Sequence, residues 1–283
     1  VAGSVVEAVY ESPSIEGVAF SLPNPGSLDP LLEALGVKEE GQSPLTGDAL
    51  QRRFGLAEGR AVVRHYRLGC EKLDYVSFES VDTSSQTDPG PSNTLWFQHV
   101  AIVVSDMNRA AEKLMPHVAP ISDSPQWLPN GVAAWKFRNA AGHAMELLWF
   151  PPDQGHPRWH QPEPSLFQGL DHSAIAISDS DRSLAFYGVD LGLQLRYATL
   201  NQGVEQGRLD ALTDARVAIH GLSGSAPCGV EFLRYLNPPP QQPTAAALQP
   251  QDALYAQILL HAPGAGSGRL QCDPDGHRIW LHS

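Results

Sequence analysis

Cysteine is scarce: Cys70, Cys228 and Cys272 are the only three in 283 residues, far apart and without CxxC spacing. Neither a disulfide framework nor a cysteine zinc site is therefore expected. Long hydrophobic runs are missing too. No stretch approaches the roughly 18 apolar residues that a membrane helix needs, so no membrane span is expected. Basic residues are few, 19 Lys and Arg against 31 Asp and Glu, for a net charge of −12. A phosphate backbone is gripped by clustered basic side chains, and their absence argues against nucleic acid as a partner. The chain starts at Val1 without methionine, which fits a removed signal peptide, a trimmed tag or a truncation and leaves cytoplasm and periplasm both open. A hydrophobic content of 42% suits a soluble globular protein long enough for two domains.

The informative stretch runs from Leu95 to Phe150. Trp96 to Val104 reads as a strand apolar on both faces, with one histidine, His99, set into it. Ser105-Asp106 offers a helix N-cap, and Ala110, Leu114 and Met115 follow at helical spacing up to Pro116. Two more strands are expected, over 132–137 and 144–150. The last carries Glu146 inside an apolar run. An unpaired buried carboxylate costs several kcal/mol, so Glu146 must face a cavity, a cation or a metal.

This unit recurs. A shift of 73 positions lays His99, Ala101, Ile102, Ser105, Asp106 and Arg109 onto His172, Ala174, Ile175, Ser178, Asp179 and Arg182, and the second copy also ends in an apolar strand with a carboxylate, Glu231. Two weaker copies flank the pair. In the first, Gly17 stands for the histidine and Asp74 for the glutamate; in the last, which is cut short, Gln257 and Trp280 take those places. Pro/Ser/Thr-rich connectors are expected near 83–93, 151–164 and 238–250.

Four such units, with the runs Phe97-Gln98-His99-Val100-Ala101-Ile102-Val103-Val104-Ser105-Asp106 and Leu170-Asp171-His172-Ser173-Ala174-Ile175, the strands around Glu146 and Glu231, and the turn Asp273-Pro274-Asp275-Gly276-His277, resemble the vicinal oxygen chelate superfamily of glyoxalase I, bleomycin-resistance proteins and extradiol dioxygenases. The resemblance implies an α+β fold of four βαβββ modules, the fourth abbreviated, whose curved sheets pair to form cups. It also implies one divalent ion (zinc, nickel, iron(II) or manganese) held by residues of first and last strands, with a small molecule as substrate or ligand and a homodimer as an allowed assembly. Imidazole and carboxylate are suitable donors for all four ions.

Two pairings are open at this stage. If the middle modules share a cup, the ligands are His99, Glu146, His172 and Glu231. Two domains are expected, 1–155 with the first two modules and 165–283 with the last two; if neighbours within each share a cup, the sets become Asp74, His99, Glu146 and His172, Glu231, Gln257, and Trp280 cannot ligate. The expected activity is glyoxalase-like: the metal chelates adjacent oxygens of a small carbonyl compound and Glu146 or Glu231 moves a proton. The alternatives are an iron(II) extradiol-type dioxygenase and a non-catalytic binding protein. Asp74 alone is better read as a partner of Arg64 or Arg67. His143 and His277, each after a turn glycine, are expected to be exposed.

Overall fold

The computed structural model describes residues 12–79, 88–243 and 248–283; the lead-in, and parts of the first and third connectors, lie outside them. The first module comprises β1 (Ser14–Ser21), α1 (Asp29–Leu35), β2 (Lys38–Thr46), α2 (Gly47–Phe54), β3 (Arg60–Leu68) and β4 (Glu71–Glu79). The second comprises β5 (Phe97–Val104), α3 (Met107–Leu114), the short β6 (Ala119–Pro120) and β7 (Gln126–Trp127), β8 (Ala133–Arg138) and β9 (Ala144–Trp149). The third has β10 (Phe167–Ala176), α4 (Ser180–Leu184) continued by a wider turn to Asp190, β11 (Gln194–Gln202), α5 (Val204–Asp210), β12 (Arg216–Ser223) and β13 (Gly229–Asn237). The abbreviated fourth keeps β14 (Ala256–His261), β15 (Arg269–Cys272) and β16 (Arg278–His282). None of these helices is long and apolar enough to cross a membrane.

Local chemistry explains the repeated helix starts. Asp106 and Asp179 cap their helices by accepting from the backbone N–H of Arg109 (3.0 Å) and Arg182 (2.9 Å), which accounts for the aspartate recurring ahead of each helix. Gly36 ends α1 in the left-handed conformation, φ 67°, as its position after Leu35 predicts.

The modules do not pair with their chain neighbours. One sheet runs β15-β16-β14-β1-β4-β3-β2 and joins first and fourth modules; the other runs β11-β12-β13-β10-β5-β9-β8-β6 and joins second and third. The division at 155/165 therefore separates neither sheet. The physical reason is that the first strands are the seam: β5 lies antiparallel to β10 and β1 antiparallel to β14. The main hydrophobic core fills the space between the two sheets, where Phe20 and Val18 of β1 meet Ile102 of β5 and Ile175 of β10, with α1 and α3 contributing Leu31, Ala110 and Leu114. The opposite face of each sheet is left for smaller clusters.

His143 and His277 are buried, contrary to the expectation of exposure. Each closes the same turn. Asn139 Oδ1 accepts from the N–H of Ala141 and His143, and Asp273 Oδ1 from those of Asp275 and His277. The imidazole is thereby directed to the end of a strand in the other sheet: His143 Nε2 lies 3.0 Å from the Ser21 carbonyl and 2.7 Å from that of Ala253, and His277 Nε2 lies 2.8 Å from Ala176 O. The two turns act as matched clamps across the shared core. Burial pushes His143 down to about 4, so it is neutral in the fold. The unfolded value is higher, about 6.5. Its contribution to stability is therefore complete above pH 6.5 and is lost as pH falls toward 4, by about 3 kcal/mol in all. Urea midpoints of wild type and His143→Asn, followed from pH 7.5 to 4.5, should converge as the pH is lowered.

Candidate metal centre

Strand register builds the site. In each module the first and last strands run parallel, pairing Ala19 with Asp74, Ala101 with Glu146, Ala174 with Glu231 and Leu259 with Trp280. Two residues before those partners stand Gly17, His99, His172 and Gln257, so imidazole and acid lie on one face of the strand pair. The antiparallel seam sets His99 opposite Ala174 and His172 opposite Ala101, which brings the two middle sets together about one pseudo-twofold axis.

The result is a cavity of about 210 Å³ that His99, Glu146, His172 and Glu231 line jointly. His99 Nε2 is 3.3 Å from His172 Nε2, and each is 3.2 Å from a carboxylate oxygen, of Glu146 and Glu231 respectively. Ligand atoms of His99, His172 and Glu231 all fall within 4.8 Å of one another. The pairing of the middle modules, one of the two arrangements open from sequence, is the one found.

A ring of supporting groups fixes these side chains. His99 Nδ1 hydrogen-bonds to Gln98 Oε1, and the Gln98 amide donates to the Tyr235 hydroxyl at 3.2 Å, which orients the carbonyl toward the imidazole. His172 Nδ1 is 2.9 Å from Asp171 Oδ2, and Trp159 donates to the other oxygen of Asp171 at 3.0 Å. With both Nδ1 atoms held by partners outside the cavity, both Nε2 atoms face into it, the orientation that metal-binding histidines adopt. Two Nε2 atoms and two carboxylates then converge on one space, where His172 carries the proton that a metal ion would displace. Such a set demands a proton or a cation.

The charge pattern agrees. Burial pushes His172 down, but Glu231 and Asp171 more than reverse it, to about 9. Burial raises Glu146, yet His99 and Lys136 carry it down to about 2. For His99 burial prevails over Glu146, and its imidazole is lowered.

Lys136, Asp210 and Tyr197 complete the centre, and the sequence reading passed over all three. Lys136 Nζ lies 2.6 Å from Asp210 Oδ1 and 3.9 Å from Glu146 Oε1, while Gln206 donates to Asp210 Oδ2 at 2.7 Å. The signal was present for Lys136, a lone lysine in the apolar strand Ala-Ala-Trp-Lys-Phe. Gly221 pairs with Glu231 as Lys136 pairs with Glu146. Its missing side chain leaves the space that the Tyr197 ring fills, and the Tyr197 hydroxyl donates to Glu231.

Asp74 and Gln257 lie in the other sheet and do not reach this cavity. Asp74 pairs with His65 (3.0 Å) and Arg53 (3.9 Å), not with Arg64 or Arg67. Gln257 accepts from Arg53 Nε at 3.0 Å and donates to Arg53 O. Arg53 reaches in from α2, its guanidinium also over the Trp280 ring. Gly17 brings no imidazole, and a Cβ there would stand 1.9 Å from the Lys72 carbonyl, with φ 148°. In the second sheet, then, a covalently attached cation takes the place opposite the acid. Arg53→Leu should cost about 1–3 kcal/mol by leaving His65 as the remaining partner of Asp74 and taking the Arg53 Nε donor from Gln257, and Arg53→Leu/Asp74→Asn should recover part of it, as read from denaturant midpoints.

The four-module α+β arrangement with paired mixed sheets is the fold seen in solved glyoxalase and dioxygenase structures. Among solved structures, glyoxalase I from Zea mays is similar over 95% of this chain and 92% of its own, with TM-score 0.61 and 14% identity. A candidate dioxygenase from Bacillus subtilis is similar over 95% and 84%, with TM-score 0.56 and 11% identity. At such identities the likeness concerns the fold. No protein-family model matches the sequence, and no curated protein does.

Proposed function

We propose that the protein is a divalent-metal-dependent enzyme of glyoxalase-like kind, acting on a small carbonyl or vicinal-oxygen compound by chelation and proton transfer. The observation that carries this reading is the convergence of His99, His172, Glu146 and Glu231 on one cavity, the two Nε2 atoms 3.3 Å apart and each 3.2 Å from a carboxylate oxygen. Two neutral imidazoles and one or two carboxylates fit zinc, nickel, iron(II) or manganese and leave coordination positions free for substrate. When bound, such an ion supplies Lewis acidity toward adjacent substrate oxygens. The protein supplies the rest. Gln98 and Asp171 hold the imidazoles in register, Lys136 keeps Glu146 ionised, and Glu146 or Glu231 takes a proton from substrate carbon and returns it to the neighbouring one. Tyr197, donating to Glu231, is placed to follow that proton. The likeness in fold to glyoxalase I supports this assignment.

One observation favours a second reading. His99, His172 and Glu231 alone form a compact set of two histidines and one carboxylate, the donor set of non-haem iron(II) oxygenases, while Glu146 is engaged by Lys136. An iron(II) dioxygenase would use those three and leave Glu146 as base.

Metal analysis separates the readings. His99→Ala and His172→Ala should each lower bound zinc or nickel from about one equivalent to under about 0.1 after purification without chelator, in correctly folded protein. Glu231→Gln should weaken metal binding in both readings, by about 10- to 100-fold. Glu146→Gln should weaken it in the glyoxalase-like reading and leave it unchanged in the dioxygenase reading, where oxygen uptake with catechols and iron(II) should appear. Wild-type protein that takes up no transition metal would instead be a binding module.

A further inference from the structure

Resting on the metal reading above, we propose that the substrate is an uncharged compound of single-ring size, with two adjacent oxygens at one end and an apolar body at the other, and that this cavity rejects compounds bearing a carboxylate on the body. The walls have two characters. The floor carries His99, His172, Glu146 and Glu231, whereas the sides are hydrocarbon and aromatic: Leu148 and Phe150 of the second module face Leu209, Ile219 and Leu233 of the third or its helix. At the rim the polar groups are uncharged amides and a hydroxyl, Asn130, Gln154, Asn201 and Thr199.

Charge decides the substrate class. Lys136 is the single ammonium among the lining residues, no arginine joins it, and its charge is already met by Asp210 at 2.6 Å and Glu146 at 3.9 Å. Three carboxylates line the cavity, Glu146, Asp171 and Glu231, and with Asp210 behind Lys136 they outnumber by one the charge of that ammonium and a divalent ion. Two ligand oxygens can be received at the ion. A further anionic group on the substrate body would have to leave water for an aliphatic wall with no cation to receive it, at a cost of several kcal/mol. Peptide-like conjugates with free carboxylates are thereby disfavoured, and single-ring diols or hydroxyketones with alkyl or hydrogen substituents are favoured.

A matched ligand pair tests this. 4-Methylcatechol and 3,4-dihydroxybenzoate share the same two oxygens and differ in having a methyl or a carboxylate at the far end. Calorimetric titration into zinc-loaded protein should show the methyl compound binding at least about tenfold tighter, about 1.4 kcal/mol. Thr199→Arg, which adds a cation at the rim, should narrow the gap by strengthening the benzoate. Equal or tighter binding of the benzoate by wild type, or no binding of either ligand by zinc-loaded protein, would overturn the proposal. Zinc titrated alone separates the two failures. If zinc does not bind, the metal reading falls. The pair titrated into metal-free protein then tests the walls by themselves: a preference for the methyl compound upholds the substrate class, and its absence or reversal overturns it.

Discussion

Everything about the site follows from the antiparallel seam between β5 and β10. The seam pairs His99 with Ala174 and His172 with Ala101. Because side chains alternate across a strand, a slip of one residue would turn both imidazoles into the shared core and both neighbouring valines or serines into the cavity. The small residues opposite the histidines leave the rings room to meet, Nε2 to Nε2 at 3.3 Å. The parallel pairing of each first strand with its own last strand then delivers a glutamate to each imidazole. Two symmetric half-sites, each incomplete, become one four-donor centre through a single strand pairing.

The comparison between the two sheets shows what that arrangement requires. Both have the same strand pairing and the same acid position, but one sheet keeps a single acid there, Asp74, and the other has two, Glu146 and Glu231. Where the histidine has become Gly17 and the second acid Trp280, the remaining carboxylate is met by His65 of β3 at 3.0 Å and by Arg53 of α2 at 3.9 Å. A buried carboxylate tolerates the loss of its imidazole neighbours only if another positive group arrives. In the nine-stranded sheet Lys136 and Asp210 form a comparable internal pair, placed so that Glu146 has a positive neighbour while the face between His99 and His172 stays open.

Much of the architecture was readable because it rests on local chemistry. Helix caps at Asp106 and Asp179, the stop at Gly36 and the apolar runs of β5, β9, β10 and β13 are short-range signals, and repetition multiplied them. β2 and β11 were missed for a physical reason: both are largely exposed edge strands, β2 mostly polar and β11 with its apolar residues Leu195, Tyr197 and Leu200 left outside the core. The site suffered likewise. Asp210 and Gln206 belong to α5, and Tyr197 to β11, so their roles arise from packing between elements that the sequence pattern does not announce. His143 and His277 were read as exposed because a glycine turn normally faces solvent; the other sheet covers both.

From its sequence alone, the chain determined its modules, the strand positions of His99, Glu146, His172 and Glu231, and the absence of an imidazole at Gly17, since strand periodicity and internal repetition are written in neighbouring residues. Which modules share a sheet was decided only in three dimensions, because the seam pairs residues about 63 to 78 positions apart and no local preference distinguishes β5–β10 from β1–β5. The same tertiary choice gave the four donors a common cavity, placed Lys136 beside Glu146 and put Arg53 against Asp74. Long-range pairing is settled by which faces can be buried together, and that sum is taken over the whole fold.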